Sequence, residues 1–196
     1  MTTADRIKQD LDYVASAMRR EERSGGVPAI YFMWAAIVAI GFALPDFAPK
    51  FAGPFWFVSG IGGGLLSWWL GAREGRKAGV NDAALGRRYG YHWLIAGVGF
   101  ILCGLPAATG RVGIESVVPN FLLVGGLVYT LAGVHLERPL LWSGLVMFAA
   151  YVVLALFDPP YTWTVTGMVI ALSLLWAGFS SRRLRDNDLA DGAGAE

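Results

Sequence analysis

The sequence predicts an all-α integral membrane protein with six transmembrane helices behind an N-terminal cytosolic amphipathic helix, and with both termini cytoplasmic. Three observations support this. Hydrophobic residues make up 55% of the 196-residue chain, and a mean hydropathy of +0.49 is too high for a soluble domain of this size. Six runs free of charge approach the ~20 residues a helix needs to cross ~30 Å of hydrocarbon. The basic residues are also partitioned. Of sixteen Lys and Arg, only Lys50 and Arg111 fall outside when the termini are placed in the cytosol, as the positive-inside bias requires.

Residues 1–26 contain no apolar core of a secretory leader. They suggest a cytosolic helix in which Ile7, Leu11, Val14 and Met18 recur at the spacing of a short heptad seam among charged residues. Such a face lies against the inner leaflet or the protein's own loops, or it captures a second copy or a cytosolic protein partner.

The membrane domain is expected over 27–183, with spans at 29–44, 54–70, 91–108, 117–136, 139–157 and 162–181. Pro54 suits the first turn of span two, and Asn81 suits an N-cap that extends span three into the cytosol. His135 to Pro139 leave room only for a tight turn between spans four and five. Pro159 and Pro160 set the turn before span six. Residues 184–196 are small and acidic, the composition of a disordered tail. Trp34, Trp93 and Trp142 open the odd spans, and a Gly followed by a basic group closes each even one. This weak period groups the spans as three tandem hairpins.

The stretch 60–88 joins a small-residue face to the largest basic loop. Gly60, Gly64, Ser67 and Gly71 recur at helical spacing on span two, and Gly90, Gly97 and Gly104 repeat every seven residues on span three. The two stripes are expected to be helix-packing faces that mate with one another. Arg73, Arg76, Lys77, Arg87 and Arg88 follow the first stripe or precede the second, fixing this connection in the cytosol.

No Asp, Glu, Lys or Arg lies inside any expected span, which lowers the standing of ion- or proton-coupled carriers. Phosphate loops, paired-cysteine metal motifs and nucleophile elbows are missing from the sequence, so no catalytic residue is nominated and no enzyme is expected. A net charge of +1 gives no reason to expect a nucleic-acid partner. The lone Cys103 carries no information on redox compartment. One constellation stands out. His92 and His135 come to similar depth at the cytosolic ends of spans three and four, beside Glu137 and Arg138. This is a candidate ligand or pH site, with haem or metal ligation as a minor alternative to having no cofactor. Asn120, Tyr129, Thr130, Thr164, Thr166 and Ser173 are further intramembrane polar groups; ordinary helix hydrogen bonding is the first expectation for them, and lining of a polar pathway the alternative.

The sequence therefore suggests a bacterial inner-membrane (plasma-membrane) sensor, regulatory or scaffold subunit in contact with the lipid bilayer, working as a homo-oligomer or with a cytosolic partner. A small oligomeric transporter or channel is the alternative, and a haem or metal protein the third.

Overall fold

Where two helices run antiparallel, glycine decides how close their axes come, because a missing Cβ lets the partner's backbone in. The computed structural model describes residues 6–7, 26–77, 83–113, 116–157 and 159–193. Among these residues all the regular secondary structure is helical. The helices are α1 (Pro28–Phe47), α2 (Pro49–Lys77), α3 (Ala83–Ala108), α4 (Val118–His135), α5 (Arg138–Leu156) and α6 (Thr162–Ala193). The expected partner face at Leu11, Val14 and Met18 lies outside the described residues, and Ile7 is exposed.

The closest approaches build two antiparallel pairs. In α4–α5, a Cβ on Gly133 would lie 2.2 Å from the Leu141 amide nitrogen, and one on Gly144 would lie 2.4 Å from that of Thr130. Gly126 sits equally tightly under the Phe148 ring. Each step along α4 is matched by a step back along α5, so one register holds the length of the pair. In α1–α6, Gly167 receives Phe42 and Gly178 receives Phe32, while Phe32 also meets Phe179 at 5.0 Å between centroids. Ser143 donates to the Ser173 carbonyl at 3.0 Å, linking α5 to α6. The resulting core runs through Leu122, Leu140, Met147 and Leu174, all essentially inaccessible.

Carboxylates and prolines finish the helix ends. Asp46, in the last turn of α1, accepts the Thr164 amide at 2.8 Å and the Thr164 hydroxyl at 2.6 Å. It thus caps an otherwise orphaned donor of the first turn of α6 and places negative charge at that helix's positive end. Pro45 has no N–H to give the Gly41 carbonyl, and the Trp56 indole of α2 donates to that oxygen instead at 3.2 Å. At the end of α3, Gly110 takes a φ of +70°. Its amide bonds Ala107 and the next amide bonds Pro106, the paired closure that favours glycine at this position.

Several expected boundaries move. Only Ala48 separates α1 from α2, because Pro49 starts a new helix where a short loop was expected. The last helix continues through Ala193, past the boundary at 183.

The packing of the glycine stripes is corrected more substantially. α2 packs on α1, α3 packs on α4, and α2 and α3 share no packed face. A Cβ at Gly60, Gly64, Gly71, Gly90 or Gly97 would meet nothing within 4 Å, and Gly104 only brushes Phe121. The face α2 actually buries holds Gly63, under Trp34 and Ile37, with the Trp34 indole donating to Ser67 at 2.9 Å. Trp34 and Ile37 of α1 cover Gly63, and of the four stripe residues on α2 only Ser67 meets a neighbour, the Trp34 indole.

Among the described residues, five helices are long and apolar enough to cross a membrane: α1, α3 from Gly86, α4, α5 and α6 to Leu184. The glycine-rich α2, longer than all of them except α6, is not among the five. Over the α3 span, only 6% of residues are buried, which an aqueous fold of this length could not sustain. In lipid this exposure carries no such penalty.

These contacts predict opposite outcomes at two kinds of glycine. Gly144→Leu should overpack the α4–α5 contact and cost about 1–3 kcal/mol, seen as a lower melting temperature in detergent. Gly64→Leu should leave the melt unchanged. Equal effects would contradict the assigned packing.

Candidate functional site

The turn between α4 and α5 is as short as its sequence suggests, and its tightness turns a carboxylate inward. The amides of Leu136 and Glu137 both bond the Ala132 carbonyl, at 2.7 and 2.9 Å, closing α4. Arg138 and Pro139 then start α5 at once, with the Leu140 amide returning to the Glu137 carbonyl at 3.0 Å. Glu137 occupies the N-cap position of α5 in extended conformation, yet its side chain makes no capping bond to its own helix. An acidic side chain normally would. Here it crosses the end of the bundle and reaches two other helices.

The Glu137 residue is only 4% exposed. Oε2 accepts the Tyr31 hydroxyl of α1 and, at 2.6 Å, the backbone amide of Gly26 just ahead of α1. Oε1 accepts the Tyr89 hydroxyl from the first turns of α3 at 2.8 Å. A Cβ at Gly26 would lie 2.3 Å from Oε2, so glycine is required for the backbone to come this close. One carboxylate therefore joins α1, α3, the α4–α5 turn and the segment that enters α1.

Burial raises the Glu137 pKa above its ordinary value, while the bonds from Tyr31, Tyr89 and Gly26 pull it back by favouring the charged form. Desolvation wins. The arrangement fits a proton-responsive structural clasp.

The other sequence-nominated residues are distributed around this clasp. His92 is half-buried on α3, edge-on to Trp93 at 5.2 Å between centroids, and its Nε2 is buried with no partner. His135 and Arg138 are exposed. Of the four residues nominated around the two histidines, the one with a built environment is Glu137, and tyrosines rather than histidines surround it. Among the described residues, no three His, Cys, Asp or Glu side chains converge as metal ligands. Tyr129 packs against Trp93. The hydroxyls of Thr130, Thr166 and Ser181 are buried without partners.

Sequence inspection missed Gly26, Tyr31, Tyr89 and Asp46. Each sits at the end of a helix, far from its partner along the chain, and their meeting depends on helix register. The one available signal was a glutamate in a two-residue turn between two membrane helices, where burial of a charge needs donors from elsewhere. Comparison with protein-family models, with characterised proteins and with solved structures finds no match to this chain.

A carboxyl whose pKa is higher folded than unfolded holds its proton more tightly in the folded state. Its contribution to stability is complete below the unfolded value, about pH 4.3 for glutamate, and is lost as pH rises through the raised folded value. Glu137→Gln, which cannot ionise, should therefore gain melting temperature relative to the unsubstituted protein as pH is raised from about 4 to about 8. A pH-independent difference would contradict burial of a titrating carboxyl. Glu137→Ala, which strands the two tyrosine hydroxyls and the Gly26 amide, should cost about 1–3 kcal/mol or more at any pH.

Proposed function

We propose that this chain is a non-enzymatic, six-crossing membrane protein that serves as a sensor, regulatory or scaffold subunit. Its N-terminal segment engages a cytosolic protein or a second copy of the chain. The supporting observation is the bond between the Gly26 amide and Glu137, which couples the end of that segment to three other parts of the bundle. Ile7, Leu11, Val14 and Met18 supply the engaging face in this reading.

In this reading α2 is the sixth crossing, its glycine content offset by Trp68 and Trp69 near one end and Trp56 near the other. Both termini and the connections rich in arginine face the cytosol of an inner (plasma) membrane, consistent with the placement of the basic residues.

The transporter alternative draws on the buried, unpartnered hydroxyls of Thr130, Thr166 and Ser181, which a polar solute would satisfy. Its expected signature is solute flux in proteoliposomes that falls when Thr130 and Thr166 are replaced by Val.

Charge substitutions at the proposed face test the first reading directly. Leu11→Asp with Val14→Asp should abolish the species trapped by cross-linking in native membranes while leaving the detergent melt unchanged. Undiminished cross-linking would refute the docking role. A cysteine placed at Arg76 should be shielded from membrane-impermeant reagents in intact cells, and labelling from outside would overturn the orientation.

A further inference from the structure

Helices α3, α4 and α5 form a row with α4 in the middle. The contacts between α3 and α4 separate into two sides of their seam. On the core side, Trp93 meets Tyr129 at 5.4 Å between centroids and Phe100 stacks on Phe121 at 6.3 Å. On the other side, His92 lies within electrostatic reach of His135, and a Cβ at Gly99 would lie 3.5 Å from Val124. Along α4, Val124 is followed at helical spacing by Leu127, Leu131 and His135, all three exposed. Toward α5 the same helix presents Gly126, Thr130 and Gly133, which meet Phe148, Gly144 and Leu141. The exposed strip of α4 therefore runs between α3 and α5, on the face of the row turned away from the core.

One end of this strip gathers basic groups. Arg88 stands one turn before His92 on the same side of α3. Arg138 opens α5, with Trp142 and Leu145 following it at helical spacing, both exposed. Direct contacts draw these positions together. The Tyr89 hydroxyl reaches Glu137 at 2.8 Å, which fastens the residue after Arg88 to the residue before Arg138, and His92 draws in His135 from the end of α4. Arg88, His135 and Arg138 are all exposed, and among the described residues none of them has an acidic partner. The carboxylate of the turn cannot serve as one, because Glu137 is turned inward and accepts from Gly26, Tyr31 and Tyr89. Tryptophan marks the depth of lipid headgroups, and Trp142 lies one turn inside Arg138. The strip therefore offers apolar surface at acyl-chain depth and uncompensated positive charge at phosphate depth.

We infer that the outer face of the α3–α4–α5 row binds an anionic glycerophospholipid, its phosphate held by Arg88 and Arg138 with His135 between them, and an acyl chain laid along Leu131 and Leu127, flanked by Ile95 and Leu145. Guanidinium pairs with phosphate bidentately, and basic residues clustered at the end of membrane spans favour anionic lipid over neutral. Charge complementarity decides between occupants. A zwitterionic lipid covers the apolar strip but brings no net charge to its basic end. A free anion satisfies the basic end and leaves the strip uncovered. A second copy docked on this face about a two-fold axis along the membrane normal would set the same basic end against itself, since such an interface is self-facing. The site uses three helices that are each long and apolar enough to cross a membrane, so it depends neither on the placement of α2 nor on what the N-terminal segment engages.

The test is native mass spectrometry of the delipidated full-length protein, titrated with phosphatidylglycerol and with phosphatidylcholine of the same chains. Phosphatidylglycerol should bind about tenfold more tightly, and R88Q/R138Q should bring it down to the phosphatidylcholine level. R76Q/R87Q removes the same charge from α2 and from the other side of α3, so it should keep the preference. Excess inorganic phosphate should leave the lipid in place. A second measurement keeps every arginine. Phosphatidylglycerol brominated on its chains, added at a low lipid-to-protein ratio, should quench tryptophan emission less in Trp142→Phe than in Trp68→Phe. Equal binding of the two lipids, an equal loss in R76Q/R87Q, displacement by inorganic phosphate, or equal quenching in the two tryptophan variants would overturn the inference.

Discussion

Everything at the arginine-rich end of this bundle depends on satisfying one buried carboxylate. Glu137 is removed from water by a turn too short to let it escape, so its oxygens must find donors within the protein. Tyr31, Tyr89 and the Gly26 amide provide them, and each lies on a different part of the chain from the turn itself. The requirement of a single side chain thereby becomes a constraint on α1, on α3 and on the segment that precedes α1. For α3 this counts most, because it packs extensively only on α4 and is otherwise turned toward lipid.

A second carboxylate does related work at the opposite end. Asp46 leaves α1 to cap α6, so α1 is tied to the bundle through an acidic group near each of its ends. Between them the contacts are apolar and close, with Gly167 and Gly178 admitting Phe42 and Phe32. Polar ties at the ends and steric fit in the middle suit a membrane interior, where apolar burial gives little preference for helix over lipid and shape must supply the specificity. The same physics explains the loose periphery. α2 and α3 incur no penalty for exposing leucine and isoleucine to acyl chains.

Much of the architecture was legible in the sequence because it rests on local composition. Uncharged runs bounded by tryptophan and arginine located the helices, and the proline pair before Tyr161 located the last turn. Glu137 was visible as a neighbour of the histidines, but its partners were not. Tyr31 and Tyr89 are ordinary residues at helix starts until register brings them together. The glycine stripes misled for a related reason. Periodicity shows that a face is smooth, but it does not show which neighbour arrives. On α2, Trp34 and Ile37 chose the adjacent Gly63 face, and the glycines that do admit a neighbour, at 126, 133, 144, 167 and 178, form less regular patterns.

Hydrogen–deuterium exchange of the protein in lipid nanodiscs tests most directly whether Glu137 holds these parts together. In Glu137→Ala, exchange should accelerate at the amides of residues 26–31 and at the start of α3, with the α4–α5 pair and the Asp46 end of α1 unchanged. Exchange that stays at its original rate at both places, in a protein that has retained its helices, would show that the carboxylate is a bystander and that the bundle is held by other contacts.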